Sequence, residues 1–342
     1  MTRVAAVDCG TNSIRLLVAE AVSDEAASDE AASQETVSGA AVSGAAASAA
    51  STTPALSRTT PRLHALVRRM EIVRLGAGVD RTGELAPDAL DRTFAALRDY
   101  AKEIDRLGAA KVRMVATSAT RDARNRDVLV AGVRSILGVD PEVITGDEEA
   151  ALSYAGATGE LHGHPEPFLV ADIGGGSTEL VLGDADSVHA ARSVNIGCVR
   201  LAERHLHDDP PTAGQLAAVV ADAHAAFDLA EQTVPIRCAA TLVGVAGTVT
   251  TVAALAADLP GYDPDRIHLS VTAAPDVVAV TDRLAAMSHA QRAALPVMHP
   301  GRVDVIVAGA LVLRTLVERV GASAVIASEH DILDGIAFSL LS

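Results

Sequence analysis

The 342-residue sequence contains no tryptophan, four phenylalanines and three tyrosines. Broad aromatic platforms on which nucleic-acid bases could stack are therefore not expected. Cysteine is also rare, since Cys9, Cys198 and Cys238 are far apart, odd in number and form no CxxC pair. This pattern excludes a disulfide framework and a zinc knuckle, and it is typical of small buried side chains in a reducing compartment.

Long apolar runs and an excess of basic residues are missing as well. No stretch approaches the roughly 20 apolar residues of a membrane-spanning helix, and Met1 leads directly into a strand pattern without the basic and apolar regions of a signal peptide. The 28 lysines and arginines face 44 aspartates and glutamates, which gives a net charge of −16. We therefore expect a cytoplasmic protein that binds neither nucleic acid in general nor membrane surfaces.

One long segment lacks hydrophobic periodicity. Residues 23–53 consist mostly of alanine, serine, threonine and glycine, with five acidic residues and no basic one. Such a stretch cannot bury enough apolar surface to offset its ordering entropy. The sequence therefore predicts a disordered insertion over residues 23–62 in a loop between two strands, with a neutral expansion favoured over a regulatory segment.

Two segments share a pattern of apolar strand, aspartate, glycine turn and second strand. They are Val4–Val18, with Asp8 before the turn, and Phe168–Leu182, with Asp172 before the turn. Glycine-turn amides form a concave site for an anion, and the aspartate suits a divalent cation that also binds phosphate oxygens. One copy fits a solvated glycine hairpin equally well, but two copies favour similar halves that face each other across phosphate and metal.

Three further side chains are candidates for the same site. Arg121 follows a predicted strand and precedes a predicted helix, where it suits either an anion contact or a surface ion pair. Glu148 and Glu149 lie at the N-terminus of a short predicted helix. That position suits the helix dipole, and it also suits a carboxylate that serves as general base for water.

The rest of the chain alternates strands and helices, which predicts mixed α/β sheets covered on both faces. The clearest helix is expected over residues 87–107, because Pro87 suits a first turn, an apolar stripe follows and Gly108 suits a helix end. Gly244–Thr251 is predicted as a third glycine turn after a strand.

Eight segments in one order resemble the exopolyphosphatase / guanosine pentaphosphate phosphatase family. They are Val7–Ser13, Ala116–Arg121 with Asn125, Gly146–Ala150, Asp172–Glu179, Ile196–Arg200, Gly247–Thr248, Arg302–Ile306 and Ser328–Gly335. The resemblance implies an α/β fold of two ribonuclease-H-like domains, as in the actin, sugar-kinase and chaperone ATPase superfamily, with a cleft between them. We expect the domains to be 1–147 and 148–330, with a C-terminal helix at 331–342 that packs back on the first.

The resemblance also implies roles for individual residues. Glu149 matches the general base that activates water, Glu179 an acid beside the water or metal, and Asp8 and Asp172 the ligands of Mg²⁺ or another divalent cation. The implied phosphate contacts are Gly10, Thr11, Asn12, Ser13, Arg15, Arg121, Gly174, Gly175, Gly176 and Ser177.

The expected activity is Mg²⁺-dependent release of terminal phosphate from inorganic polyphosphate. Short chains are the expected substrates, because longer family members carry additional C-terminal domains. Hydrolysis of guanosine pentaphosphate is the alternative, since the same motifs serve both substrates, although the scarcity of aromatics disfavours a stacked guanine. A sensor that binds polyphosphate or nucleotide without turnover is a third possibility, against which Glu149, Asp172 and Glu179 argue. The resemblance further suggests a homodimer.

Overall fold

The structure is a computed structural model that describes residues 2–22 and 62–341. The predicted insertion lies outside the described residues, apart from Arg62, which begins a strand. Two mixed sheets with helices packed against them make up the described part of the chain.

The first sheet contains the N-terminal glycine turn. Its strand order is β3-β2-β1-β4-β5, and the strands are β1 (Arg3–Cys9), β2 (Ser13–Val22), β3 (Arg62–Ile72), β4 (Lys111–Ala116) and β5 (Glu142–Val143). β1 pairs antiparallel with β2 and parallel with β4. The C-terminal ends of β1 and β4 therefore meet at one edge of the sheet, where the first turn lies.

The second sheet repeats this arrangement around the second glycine turn. Its order is β10-β11-β9-β6-β7-β8, and the strands are β6 (Phe168–Ile173), β7 (Thr178–Gly183), β8 (Val188–Val194), β9 (Thr241–Val245), β10 (Ser270–Ala273) and β11 (Ala324–Ala327). β6 pairs antiparallel with β7 and parallel with β9, as β1 does with β2 and β4. The shared topology of the two halves confirms the predicted fold class.

Helices cover both sheets. Within the described ranges they are α1 (Val79–Thr82), α2 (Pro87–Leu107), α3 (Ser118–Asp122), α4 (Arg126–Leu137), α5 (Gly146–Thr158), α6 (Cys198–His205), α7 (Ala213–Glu231), α8 (Ala246–Ala256), α9 (Pro264–Ile267), α10 (Ala274–Ala286), α11 (His289–Ala293), α12 (Ile306–Val320) and α13 (Ile332–Ser339). α2 has the predicted bounds: Pro87 occupies its first turn, and Gly108 ends it at a left-handed φ of 64°.

The predicted third glycine turn at Gly244–Thr251 is wrong. Gly244 lies inside β9, and the chain passes from Val245 directly into α8. Gly244 makes room for a neighbour, because a Cβ there would lie 2.7 Å from Cγ1 of Val249. The change of direction occurs at Ala246, which has a φ of 68°.

The C-terminal helix α13 joins the two halves. Its apolar face packs on the first sheet, where Leu333 and Ile336 belong to one buried cluster with Val4 and Leu17. Its other contact is a crossing with α5. A Cβ on Gly156 would overlap the carbonyl oxygen of Asp331, and one on Gly335 would overlap that of Leu152. The backbones of α5 and α13 therefore touch, while the predicted domain boundaries stay a prediction.

Candidate active site

The two glycine turns border one crevice with a volume of about 100 Å³. Each turn is closed by the same backbone hydrogen bond, from Gly10 to Ser13 across 3.0 Å and from Gly174 to Ser177 across 3.1 Å. The turns also approach each other closely, because a Cβ on Gly175 would lie only 2.9 Å from Cβ of Thr11. The two halves of the fold thus meet at their glycine turns.

Most of the predicted site residues line this crevice, namely Asp8, Gly10, Thr11, Asn12, Ser13, Arg15, Glu149, Asp172, Gly174, Gly175 and Ser177. Three others adjoin these residues without lining it. Arg121 is hydrogen-bonded to Glu149, Glu179 is the cross-strand partner of Asp172, and Gly176 packs against the hydroxyl groups of Thr11 and Ser118. The fold therefore brings all the predicted site residues into one region.

Asp8 is buried and is held by its cross-strand partner Arg15. Nε and Nη2 of Arg15 donate to Oδ2 of Asp8 across 3.0 and 2.7 Å. Burial raises the pKa of Asp8 above its usual range, although Arg15 acts in the opposite direction. Oδ1 is buried and finds no hydrogen-bond partner among the described residues, so this oxygen is left to accept a ligand.

Asp172 is the corresponding residue of the second half. Its Oδ2 accepts a 2.5 Å hydrogen bond from Oγ of Ser153, which lies one turn after Glu149 on α5. Burial and the nearby Asp331 raise the pKa of Asp172 to about 6. α5 thus contributes both a carboxylate and the hydroxyl that orients Asp172.

The structure separates the two glutamates at the start of α5. Glu148 is exposed and accepts a hydrogen bond from Arg113 across 3.0 Å. Glu149 is buried and lines the crevice, where Nη1 of Arg121 donates to its Oε2 across 2.6 Å. Burial, only partly offset by Arg121, raises the pKa of Glu149 to about 7, which suits a group that accepts a proton near neutral pH.

Glu179 is almost completely buried. Oγ of Ser193 donates to its Oε1 across 2.7 Å. Burial, with smaller contributions from Glu149 and Asp172, raises the pKa of Glu179 well above its usual range. Glu179 can therefore keep a proton at pH values where an exposed glutamate has lost it.

Asp331 is a charged site residue that sequence reasoning missed. It is buried and contacts Nη1 of Arg15 through Oδ2, while its Oδ1 caps α13 by accepting from the amide of Leu333 across 3.0 Å. Burial alone would raise its pKa, but Arg15 and Arg68 outweigh burial and lower it. Arg15 is therefore held between two carboxylates. The Ser328–Gly335 segment contributed to the family resemblance, but no local signal gave Asp331 a role.

Side chains from the loops complete the wall. Ser118 shares a 2.8 Å hydrogen bond with Thr11, and Thr248 and Arg302 also line the crevice. Gly247 lies flat against Arg302, since a Cβ there would overlap the guanidinium group. These residues lie within segments that carried the resemblance.

The side chains around the crevice fit a hard divalent cation. Asp8, Glu149, Asp172, Glu179 and Asp331 supply five carboxyl groups, against which the guanidinium groups of Arg15, Arg121 and Arg302 supply three positive charges. Carboxylate oxygens are the ligands that Mg²⁺ and Ca²⁺ prefer. Oδ1 of Asp8 and Oδ1 of Asn12 are both buried and accept no hydrogen bond from the described residues, so each can accept a ligand in the crevice.

A second cavity of about 410 Å³ continues from the crevice. The two share Arg15, Met70, Ala246, Gly247 and Arg302. The second cavity is further lined by Arg68, Arg69 and Tyr262 and by the apolar segment Pro296–Met298. A bound molecule can thus extend from the narrow crevice into a wider space with several arginines.

Comparison with known proteins decides the family. The family model described as "Ppx/GppA phosphatase family" matches residues 55–342. The chain belongs to the Ppx/GppA phosphatase family. This confirms the predicted family and, because the family is one of phosphatases, the predicted enzyme class.

Individual relatives agree with this assignment. "Exopolyphosphatase 2" of Mycobacterium tuberculosis is 47% identical and covers 99% of both chains. "Guanosine-5'-triphosphate,3'-diphosphate pyrophosphatase" of Photobacterium profundum is 36% identical over 52% of this chain and 35% of that protein. The crystal structure of an exopolyphosphatase-like protein superimposes with a TM-score of 0.85 at 38% identity, covering 99% of this chain and 98% of the other.

Across residues 2–22 and 62–341, no helix of this family member combines the length and the apolar character that crossing a membrane requires.

Proposed function

We propose that this phosphatase is a divalent-cation-dependent exopolyphosphatase that removes the terminal phosphate of inorganic polyphosphate. One observation carries the proposal: glycine turns from both halves and the carboxylates of Asp8, Glu149 and Asp172 line the same crevice. The relative named exopolyphosphatase 2, similar over 99% of both chains, supports the choice of substrate.

The crevice suits one phosphate group at the end of a chain. Backbone amides of the two turns provide donors for its oxygens. Asp8 and Asp172 would hold the cation, Mg²⁺ by preference, which neutralises charge on phosphate oxygens when bound. Arg15 is fixed by Asp8 and Asp331, so it offers its remaining N–H groups in a set orientation.

Glu149 is the proposed general base. As the water oxygen forms a bond to the terminal phosphorus, the bond from that phosphorus to the bridging oxygen breaks, and a water proton passes to Glu149. Arg121 fixes the carboxylate through its 2.6 Å hydrogen bond. Positioning and charge neutralisation, rather than covalent catalysis, dominate the lowering of the barrier in such reactions. Glu179, the cross-strand partner of Asp172, would stay protonated and so reduce the negative charge of the carboxylate cluster.

The second cavity would receive the remainder of the chain. Arg15, Arg68, Arg69 and Arg302 line it, and arginine suits phosphate oxygens. Because the second cavity is itself limited to about 410 Å³, short polyphosphates are the proposed preferred substrates.

Guanosine pentaphosphate is the second candidate substrate. The same cavity contains Tyr262, which lies under Arg302 with 5.9 Å from Cζ to the ring centroid, and an apolar segment against which a nucleoside could pack. The Photobacterium profundum relative carries a name of this type.

Phosphate release decides between the candidates. The purified protein should be assayed with polyphosphates of defined length and with guanosine pentaphosphate, each with Mg²⁺ and with EDTA. The proposal expects the highest kcat/KM for a short polyphosphate and none of that activity in EDTA. A higher kcat/KM for guanosine pentaphosphate would replace the first candidate by the second, and no release from either would support a binding sensor. The predicted homodimer and cytoplasmic location stay predictions.

A further inference from the structure

Glu160, His268 and His330 form a cluster of three metal-binding side chains away from the crevice. Nε2 of His268 lies 2.8 Å from Oε2 of Glu160, and Nδ1 of His330 lies 3.9 Å from Oε1 of Glu160. The two imidazole rings are 4.4 Å apart between centroids and tilted by 44°. One ligand atom from each residue lies within 4.8 Å of the others.

The three side chains come from separate parts of the fold. Glu160 follows the end of α5, His268 follows α9, and His330 lies between β11 and α13. They share no local sequence motif, so the tertiary fold alone brings them together. Neither the proposed hydrolysis nor the packing of the two cores uses them.

We propose that Glu160, His268 and His330 bind one Zn²⁺ ion, with water as the fourth ligand. Two imidazoles and one carboxylate form a common zinc ligand set that leaves one position open. With metal–ligand distances near 2.1 Å, a tetrahedral site separates its ligand atoms by about 3.4 Å. The two histidine nitrogens lie 2.8 Å from Oε2 and 3.9 Å from Oε1 of Glu160, and one ligand atom of each residue lies within 4.8 Å of the others. Side-chain rotations can therefore bring one oxygen and the two nitrogens to that spacing.

The surroundings also favour a cation. The chain carries a net charge of −16, and the side chain of Glu160 is 56% exposed and that of His330 36%. Solvent therefore reaches the cluster, and an ion can enter without opening the fold. Imidazole nitrogen favours Zn²⁺ over Mg²⁺, which prefers oxygen ligands, so the cluster and the crevice select different metals.

Binding has one identifiable cost. Nδ1 of His268 accepts a hydrogen bond from the amide of Glu329 across 3.2 Å, which places the ring proton on Nε2, towards Glu160. Coordination through Nε2 moves this proton to Nδ1 and breaks the bond from Glu329. Glu329 and His330 directly precede Asp331, which contacts Arg15 in the crevice. A metal at this cluster therefore acts on the segment that holds Arg15.

The test is a Zn²⁺ titration of the metal-free protein by calorimetry, with Co²⁺ absorption as a second probe of coordination geometry. His268→Gln and His330→Gln remove one ligand each. His189→Gln is the matched control, because His189 also pairs with a carboxylate, Asp184, at 2.7 Å, but no cluster of three ligands includes it among the residues that the structure describes. Asp172→Asn weakens any Zn²⁺ site in the crevice, so it distinguishes binding there from binding at the Glu160, His268 and His330 cluster.

The proposal expects one Zn²⁺ per chain for the wild type, His189→Gln and Asp172→Asn, and an affinity lower by about 10- to 100-fold or more for each cluster variant. Equal affinity in the wild type and in both histidine variants, or a loss confined to Asp172→Asn, would overturn it. Circular dichroism in EDTA establishes whether each variant folds. If a histidine variant does not fold, Glu160→Gln, at an exposed position, removes a ligand in its place and its Zn²⁺ affinity is compared with that of the wild type.

Discussion

Arg121 and Glu149 form a hydrogen-bonded ion pair across 2.6 Å at the edge of the crevice. The same Arg121 nitrogen also donates to the carbonyl of Ile144, just before α5. Glu149 therefore has one fixed oxygen, while the side chain as a whole lines the cavity. This geometry orients a carboxylate for proton transfer.

Glu149→Gln should remove turnover and keep substrate binding. The amide retains the shape of the carboxylate but cannot accept the water proton, and loss of a general base costs about 10²- to 10⁴-fold in kcat. Steady-state phosphate release gives kcat, and calorimetry with a short polyphosphate gives the affinity. Glu148→Gln is the matched control, because Glu148 is the neighbouring exposed residue. Equal losses in the two variants would contradict the role of Glu149.

The same substitution should stabilise the metal-free protein at alkaline pH. The pKa of Glu149 is raised by burial from 4.5 to about 7 in the folded chain. The folded state therefore binds the proton more tightly, and this stabilisation is present below pH 4.5 and lost as pH rises through about 7. Relative to the wild type, Glu149→Gln should gain about 1–3 kcal/mol in the free energy of unfolding between pH 5 and pH 8. Urea denaturation in EDTA at pH 5 and pH 8 measures the free energy of unfolding of both proteins. If the difference between Glu149→Gln and the wild type is the same at the two pH values, the raised pKa of Glu149 is refuted.

Asp331 should behave in the opposite way with pH. Arg15 and Arg68 outweigh its burial and lower its pKa below 3.8, so its stabilisation is present above about pH 4 and lost as pH falls through the folded-state value. Asp331→Asn should destabilise the fold by about 3 kcal/mol at pH 7, because it breaks a buried ion pair, and by less at pH 3. Asp88→Asn, which breaks the exposed pair with Arg92, should change the urea midpoint little at either pH. Equal shifts for both variants would show that Asp331 is an ordinary surface charge.

Asp8→Asn should raise the Mg²⁺ concentration needed for half-maximal activity by at least about tenfold. The substitution removes the charge beside the buried oxygen that lacks a partner among the described residues. The measurement is phosphate release across a Mg²⁺ titration, with melting curves to confirm folding. An unchanged Mg²⁺ dependence would place the cation elsewhere.

Gly156→Ala should destabilise the protein by more than about 2 kcal/mol. The added methyl group would overlap the carbonyl oxygen of Asp331 where α5 crosses α13. Gly159→Ala is the matched control three residues later, since nothing lies within 4 Å of a Cβ there and its φ of −57° suits alanine. That variant should be neutral or stabilised by up to about 1 kcal/mol. Similar melting temperatures for both variants would show that the crossing tolerates a side chain.

The parts of the site that the sequence predicted depend on local signals. An aspartate, a glycine turn and flanking apolar strands define each hairpin within 15 residues. The pairing of Asp8 with Arg15 and of Asp172 with Glu179 follows from the same seven-residue separation. Helix position alone could not separate Glu148 from Glu149, because both lie in the first turn of α5. The family resemblance selected Glu149, and the packing of that helix buries it while Glu148 stays exposed.

The features that the sequence did not predict depend on tertiary contacts or on a glycine that serves packing and not a turn. Asp331 is 316 residues from Arg15 along the chain, and its local pattern is that of a helix cap. The sequence predicts a turn at Gly244 because glycine favours turns, whereas in the structure Gly244 lies within β9 and leaves space for the side chain of Val249.

The close crossing of α5 and α13 gives the two halves a common pivot point. Glu149 lies seven residues before Gly156, or about 10 Å along the helix, and Asp331 lies at the crossing itself. A rotation of the halves about this point would keep the spacing of the carboxylates, which lie close to it, and would widen the outer rim of the second cavity. Spin labels on α2 and α10 should therefore report different distances with and without bound polyphosphate. Such a rotation would open and close the second cavity without separating the side chains of the crevice.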